Sequence, residues 1–332
     1  MTRLVQLESG GQRRVALVDE PHLRLLADIT SVYNLARIAL DSATPLTELI
    51  RRIATDEILD YDRVYHGESS WLLLTPIDHP EPARCLVSGT GLTHLGSAKN
   101  RDAMHEGGEA ALTDSMKMFR WGVEGGRPAR GVIGIAPEWF FKGPGTILRA
   151  HCEPLEVPSH AEEGGEEAEI AGVYIIGIDG RPCRIGMAVG NEFADHRFEK
   201  RNYLNLAASK IRNCSLGPEI AIDPGFQSVP GQVSIEREGQ VFWSKEIRTG
   251  EAEMCHSLAN IEHHHFKFET HRRPGDIHVH YYGAHSLSFG DGVELSSGDV
   301  MCVQFDGFGR PLRNPLRIVP RADGPITVHS LG

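Results

Sequence analysis

The sequence predicts an α+β protein that is mostly β, with a smaller N-terminal α+β domain over residues 1–80 and a larger strand-rich domain over residues 81–332. Three observations carry this. An alternating pair of apolar runs at the N-terminus is followed by apolar residues at helical spacing. A turn-rich break, Asp78-His79-Pro80-Glu81-Pro82, then interrupts the chain. Beyond it, short apolar runs are separated by Gly and Asp turns, the texture of a barrel or folded sheet with few helices.

The elements follow in order. LVQLE and RRVALVD flank Ser9-Gly10-Gly11 and read as a hairpin. SVYNLARIALDSATPLTELIRRIA reads as one helical run. Residues 100–130 are polar and Gly-rich, which suggests a mobile excursion that could cover a site. The runs FFKGPGTIL, AEIAGVYIIGIDGRPCRIGMAVGNEF, QVSIEREGQVFWSKEI, RPGDIHVHYYGAHSL and SSGDVMCVQFDGFGRPLRNPL then read as strands, with IDGR and REGQ as hairpin turns. SLANIEHHHF reads as a helix with Leu258, Ile261, His265 and Phe266 on one face.

Composition narrows the function. The chain has 332 residues and a net charge of -11, which argues against nucleic acid or an anionic membrane as the main partner. Its first residues lack a long apolar core, and no apolar run approaches the ~20 residues needed to cross a bilayer. The six cysteines (Cys85, Cys152, Cys183, Cys214, Cys255, Cys302) are scattered without a C-x-x-C pair, as expected of a cytoplasmic protein with reduced thiols. The dinucleotide glycine fingerprint, the P-loop and the G-x-S-x-G elbow are absent.

Glu167 and Glu169 stand at i and i+2 before an apolar run, so on a strand they point the same way. Two such carboxylates converge on a hard cation such as Mg²⁺ or Mn²⁺, and Glu192, at the end of the next strand, can add a third oxygen. The bland alternative is a solvated acidic edge to which Glu162, Glu163 and Glu166 contribute. Lys142 in FFKGPGT and Lys210 in LAASKIRNCSLGPE can hold an anion, act as a base or snorkel at the surface. His94 in SGTGLTHLGSA reads as an ordinary loop histidine or a general base. His263, His264 and His265 resemble a metal tag, yet adjacent helical residues point in different directions. His278 and His280 share a strand face, where packing or hydrogen bonding competes with ligation.

Several segments occur together in a specific order: FFKGPGTI, EEAEIAGVYIIG, GMAVGNEFADH, SKIRNCSLGPEI, MCHSLANI, RPGDIHVHYYG and SSGDVMCVQFDGFGRPLRNPL. Over about residues 84–320 this series resembles the fumarylacetoacetate hydrolase superfamily, and within it the bacterial sugar-acid branch associated with pentose catabolism. The resemblance implies a mixed β-sandwich roll, often dimeric, with one divalent metal that chelates a 2-oxo acid. It implies Glu167 and Glu169 as the metal pair and Glu192 as third ligand, Lys142 and Lys210 as active-site lysines that bind substrate, and His94 as the histidine of the early glycine-rich loop. The chain departs from the family pattern in three places. Glu192 stands for the usual aspartate, Ser97 for the acidic partner of the loop histidine, and His280-Tyr281-Tyr282-Gly283 for T-G-T-P. These changes remove part of the water-activating machinery.

The expected function is therefore a Mg²⁺-dependent dehydratase of a 2-keto-3-deoxy sugar acid, a pentonate giving 2-oxoglutarate semialdehyde. Mg²⁺ would act as a Lewis acid on the 2-keto oxygen and stabilise a C3 enolate. Lys142 or Lys210 would take the C3 proton, and His94 would help the 4-hydroxyl leave. The alternatives are an acylpyruvate-type hydrolase that releases pyruvate from a 2,4-diketo sugar acid, an oxaloacetate-type decarboxylase, and a non-catalytic sugar-acid-binding protein.

Overall fold

The computed structural model describes residues 1–96, 114–321 and 324–332. The N-terminal hairpin forms as read. β1 (Thr2–Ser9) and β2 (Gln12–Asp19) pair with Ser9 opposite Gln12, and Gly10 and Gly11 both take the positive φ that a two-residue turn requires. β3 (His22–Leu26) and β4 (Ala54–Asp60) extend this sheet outward. The single expected helical run is two helices, Val32–Asp41 and Leu46–Ile53. The chain breaks between them at Ala43, which has positive φ, and at Pro45, which precedes the second helix.

The remaining strands of the large sheet are β5 (Leu72–Leu73), β6 (Cys85–Gly91), β7 (Glu138–Pro144), β8 (Leu148–Arg149), β10 (Ala168–Ile176), β11 (Pro182–Asn191), β12 (Cys214–Ile222) and β15 (Ile277–Tyr281). They run in the order β4-β3-β2-β1-β12-β11-β10-β15-β6-β7, with β5 on β1 and β8 on β12. A second, five-stranded sheet has the order β14-β13-β16-β17-β9, built from β9 (Leu155–Val157), β13 (Val229–Arg237), β14 (Gln240–Thr249), β16 (Val300–Phe305) and β17 (Leu312–Ile318). The segment 78–82 lies between strands, and the large sheet spans it: β1 pairs with β12 through Thr2 opposite Ile222 and Leu4 opposite Ile220.

This layering explains the apolar run after Glu169. One face of the large sheet packs Ala171, Val173 and Ile175 of β10 with Val32, Leu35, Ala36 and Ile50 of the two helices. The other face packs Ile170 with Val233, Ile247, Val303 and Phe305 of the small sheet. Covered on both sides, β10 is buried along its whole length and has no polar alternation. IDGR closes the β10–β11 hairpin through Gly177 N–H to Arg181 O at 2.8 Å, and REGQ closes β13–β14 with Arg237 opposite Gln240.

The helix Leu258–Phe266 forms as expected and buries Leu258, Ile261, His265 and Phe266. The described part of the 100–130 segment differs from a mobile excursion. Asp114–Gly125 is a helix, tied down where Gly126 O accepts from Ser257 N–H at 3.0 Å and Gly125 O from Ile135 N–H at 3.0 Å. Residues 97–113, Ser97 among them, lie outside the described residues. Among the described residues no helix is long and apolar enough to cross a membrane.

Candidate metal centre

The β10–β11 pairing builds the site. Ala168 lies opposite Asn191 and Glu169 opposite Gly190, and the pairing continues one step further as Glu192 N–H donates to Glu167 O at 3.0 Å. One carboxylate oxygen from each of Glu167, Glu169 and Glu192 falls within 4.8 Å of the others. None of the three is at a solvated edge: Glu167 is 8% exposed, Glu169 2% and Glu192 0%. Glu166, counted on the sequence with the acidic edge, is also fully buried; Ser288 donates to it from its backbone N–H at 2.6 Å and its hydroxyl at 2.7 Å.

Two lysines meet this cluster. Lys210 Nζ lies 2.5 Å from both Glu167 Oε1 and Glu192 Oε2, and 4.8 Å from the centre of the Phe140 ring. Lys142, fully buried on β7, donates to Glu192 Oε1, to Phe193 O at 3.1 Å and to Lys210 O at 2.9 Å. All three of its protons have acceptors, so Lys142 holds Glu192 and the Lys210 backbone in place.

The electrostatics follow from crowding. Burial, then Glu167 and Glu192, push the Glu169 carboxyl well above its ordinary range. Burial and Glu167 likewise raise Glu192. Burial alone would raise Glu167, but Lys210 and His196 outweigh it and hold that carboxyl low. Burial works against the Lys210 charge, yet Glu167 and Glu192 overcome it and raise its pKa. The donor set is all oxygen and held by backbone pairing, and its carboxyls are crowded enough that burial and mutual repulsion push two of the three up. That composition fits a hard divalent cation such as Mg²⁺ or Mn²⁺.

Sequence reasoning missed three supports. His196 Nε2 contacts Glu167 Oε1 at 2.9 Å, and the backbone N–H of Gly283 donates to Glu169 Oε2 at 2.6 Å. The carboxylate of Asp195 caps the helix His196–Arg201 through Phe198 N–H at 3.0 Å and accepts from Arg212 at 3.2 Å. The helix start at Asp195 was the one signal that could have drawn attention to His196.

His94 is fully buried, and burial with the nearby His285 lowers its pKa to about 3, so the ring is neutral. Its tautomer can be assigned from neighbours. Thr93 Oγ1 donates to Tyr282 O at 2.6 Å, so it accepts from His94 Nδ1 at 2.9 Å, and Nε2 accepts from the Thr249 hydroxyl at 2.9 Å. His94 thus joins the centre through Thr93, Tyr282 and the adjacent Gly283 that holds Glu169. Of the other histidines, His280 is satisfied by Ser88 at 2.8 Å and Thr90 at 2.7 Å, and His278 Nδ1 meets His265 Nε2 at 2.9 Å. On the helix, His264 bonds Gly134 O at 3.0 Å and packs against the His263 ring, apart from His265.

Comparison with solved structures decides the fold. Over 96% of this chain and 99% of the other, it superposes on 2-keto-3-deoxy-D-arabinonate dehydratase complexed with magnesium and 2,5-dioxopentanoate, with a TM-score of 0.70 at 18% identity. The chain has the fumarylacetoacetate hydrolase fold. A fumarylacetoacetate hydrolase from the psychrophilic Exiguobacterium antarcticum matches over 96% of this chain and all of its own, with a TM-score of 0.59 at 16% identity. A 2-hydroxyhepta-2,4-diene-1,7-dioate isomerase from Mycobacterium marinum matches with a TM-score of 0.57 at 17% identity, over 96% of this chain and 99% of that one. No protein-family model and no curated protein matches the chain.

Proposed function

We propose that the chain is a metal-dependent lyase of the sugar-acid branch of this superfamily, dehydrating a 2-keto-3-deoxypentonate to 2-oxoglutarate semialdehyde. The observation that carries the reading is the buried convergence of Glu167, Glu169 and Glu192 with Lys210 spanning two of them. The likeness to a dehydratase whose complex holds magnesium and 2,5-dioxopentanoate supports it, since that compound is the same semialdehyde.

Glu167, Glu169 and Glu192 would hold Mg²⁺ or Mn²⁺. When bound, the cation supplies Lewis-acid polarisation of the 2-oxo acid and offsets carboxylate repulsion. Lys210 is our choice for the group that handles the C3 proton: its Nζ lies within the carboxylate cluster, and a cation held by Glu167 and Glu192 would take over the negative charge that raises its pKa and leave it able to accept that proton. Lys142 binds and orients rather than transfers, since its donors are engaged by Glu192 and two carbonyls. His94 we assign to positioning: its one N–H is held by Thr93 and its other nitrogen by the Thr249 hydroxyl, and through the Thr93–Tyr282–Gly283 linkage it steadies Glu169. The interior setting of the cluster excludes water from the charged groups, which strengthens each of these interactions.

The test is proton NMR of the protein with Mg²⁺ and synthetic 2-keto-3-deoxypentonate, with and without EDTA. Metal-dependent loss of the C4 carbinol signal with growth of an aldehyde is the expected result. An unchanged spectrum, with pyruvate released from a 2,4-diketo acid instead, would replace the lyase with the hydrolase. Ligand-dependent thermal stabilisation without turnover of either substrate would leave a binding protein.

A further inference from the structure

A line of hydrogen bonds runs from the protein surface toward the carboxylate centre. Its outer end is Arg184 on β11, which donates to Glu262 Oε1 of the helix Leu258–Phe266 at 2.7 Å, with the two side chains 34% and 30% exposed. Tyr174 on β10 donates its hydroxyl to the same Glu262 oxygen at 2.9 Å. That uses its one proton, so Tyr174 is the acceptor in the 2.5 Å contact with the Tyr282 hydroxyl. Arg184 donates to the Tyr282 hydroxyl as well. Tyr282 is fully buried and directly follows β15.

The inner end is the peptide between Tyr282 and Gly283. Its N–H, that of Gly283, donates to Glu169 Oε2 at 2.6 Å. Gly283 has a φ of 100° and no room for a side chain, since a Cβ there would fall 2.1 Å from Thr93 Oγ1. It has no anchor of its own, so its N–H is aimed by Tyr282. The Tyr282 carbonyl accepts from Thr93 at 2.6 Å, and its N–H donates to Ile170 O at 3.2 Å. The phenol is the remaining hold.

We propose that Tyr282 is a positioning residue for the carboxylate centre: its hydroxyl, held by Tyr174 and Arg184, fixes the peptide whose N–H sets which way the Glu169 carboxylate faces. This rests on the reading of Glu167, Glu169 and Glu192 as a cation site. The hold acts at a distance, because Tyr174 lies five residues from Glu169, roughly 17 Å along the strand. The Arg184–Glu262 pair thus tunes a centre it does not touch. Plain core packing is the competing account, and two features count against it. A phenylalanine would fill the same space beside Phe226, whose ring centre lies 5.3 Å away, and would need no polar partner. Gly172, on a central strand, is without the Cβ that would fall 1.8 Å from Tyr282 Oη. The strand gives up a side chain to admit these hydroxyls. A buried polar network satisfied throughout rigidifies what it holds.

The experiment titrates EDTA-stripped full-length protein with Mn²⁺, following the free-ion EPR signal below the unfolding transition of each variant. Wild type should bind Mn²⁺, and Glu167→Gln should lose most of that binding. Tyr282→Phe should bind about tenfold more weakly than wild type, the low end for losing a group that orients a metal ligand. Arg184→Met should weaken binding in the same direction. The double variant should bind no more weakly than Tyr282→Phe alone, because the arginine acts through the hydroxyl. A partly exposed ion pair adds little stability, so a merely structural role predicts unchanged affinity in Arg184→Met. That variant carries the test if Tyr282→Phe loses its fold by circular dichroism. Wild type that binds Mn²⁺, with both single variants within about twofold of its affinity, overturns the proposal. Wild type that binds no Mn²⁺ removes the cation site itself, and the proposal with it.

Discussion

Lys210 Nζ sits 2.5 Å from Glu192 Oε2 with both side chains buried, and the same ammonium reaches Glu167 at the same distance. The lysine holds apart two carboxylates that would otherwise repel, and so keeps three acidic side chains gathered in the interior. Such a pair is worth little as net stability, but breaking it strands charge out of water.

Lys210→Met should therefore destabilise the metal-free protein by about 3 kcal/mol, the low end for removing one partner of a buried pair. Adding Mg²⁺ should recover more stability in the variant than in the parent, because the cation then offsets the charge that Lys210 had offset. Urea denaturation with and without MgCl₂ measures both. Equal Mg²⁺ effects in the two proteins would count against the carboxylates as a cation site.

Glu167→Gln should keep the fold and cost at least about 100-fold in turnover, since the amide keeps a contact to His196 but gives up the charge. Isothermal titration with Mg²⁺ should show a matching loss of affinity. Full activity of the metal-stripped variant would remove Glu167 from the mechanism.

His280 predicts a pH dependence whose sign can be worked out. Burial, with His278 and His271 nearby, lowers its folded pKa to about 3, against an unfolded value near 6.5. Below pH 6.5 the unfolded chain binds a proton that the native state refuses. The stability contributed by the neutral ring is thus complete above that pH and is lost as pH falls toward 3. Buried carboxyls with raised pKa act in the opposite sense, so the test is a difference. Over that window the stability gap between wild type and His280→Gln should shrink by up to about 1.4 kcal/mol per pH unit. A gap that does not change with pH would mean the ring titrates normally.

Gly172 leaves room for the Tyr174–Tyr282 pair, whose hydroxyls lie 2.5 Å apart beside Glu262. A Cβ at Gly172 would fall 1.8 Å from Tyr282 Oη and 2.6 Å from Tyr174 Oη. Gly172→Ala should cost about 2 kcal/mol through overpacking. Adding Tyr282→Phe should recover part of that, read as a positive coupling in a double-mutant cycle by chemical denaturation. Strict additivity would place the strain elsewhere.

The chain's local chemistry determined much of this protein by itself. Alternation and turn residues located the N-terminal hairpin and the β10–β11 and β13–β14 hairpins, because strand faces and two-residue turns depend on neighbours in sequence. The i, i+2 spacing of Glu167 and Glu169, and Glu192 after the following strand, were legible for the same reason. Tertiary structure decided what spacing cannot carry. Glu166 looked like part of a solvated edge until Ser288, 122 residues away, came to satisfy it. Lys142 and Glu192 are 50 residues apart, and His196 and Glu167 29 apart, yet each pair is in contact. Whether an acidic cluster is a wet edge or a buried centre depends on what covers it, and here two cores close over both faces of β10. Burial and long-range register are properties of the packed sheets, and so the charge state of this centre was written only in the fold.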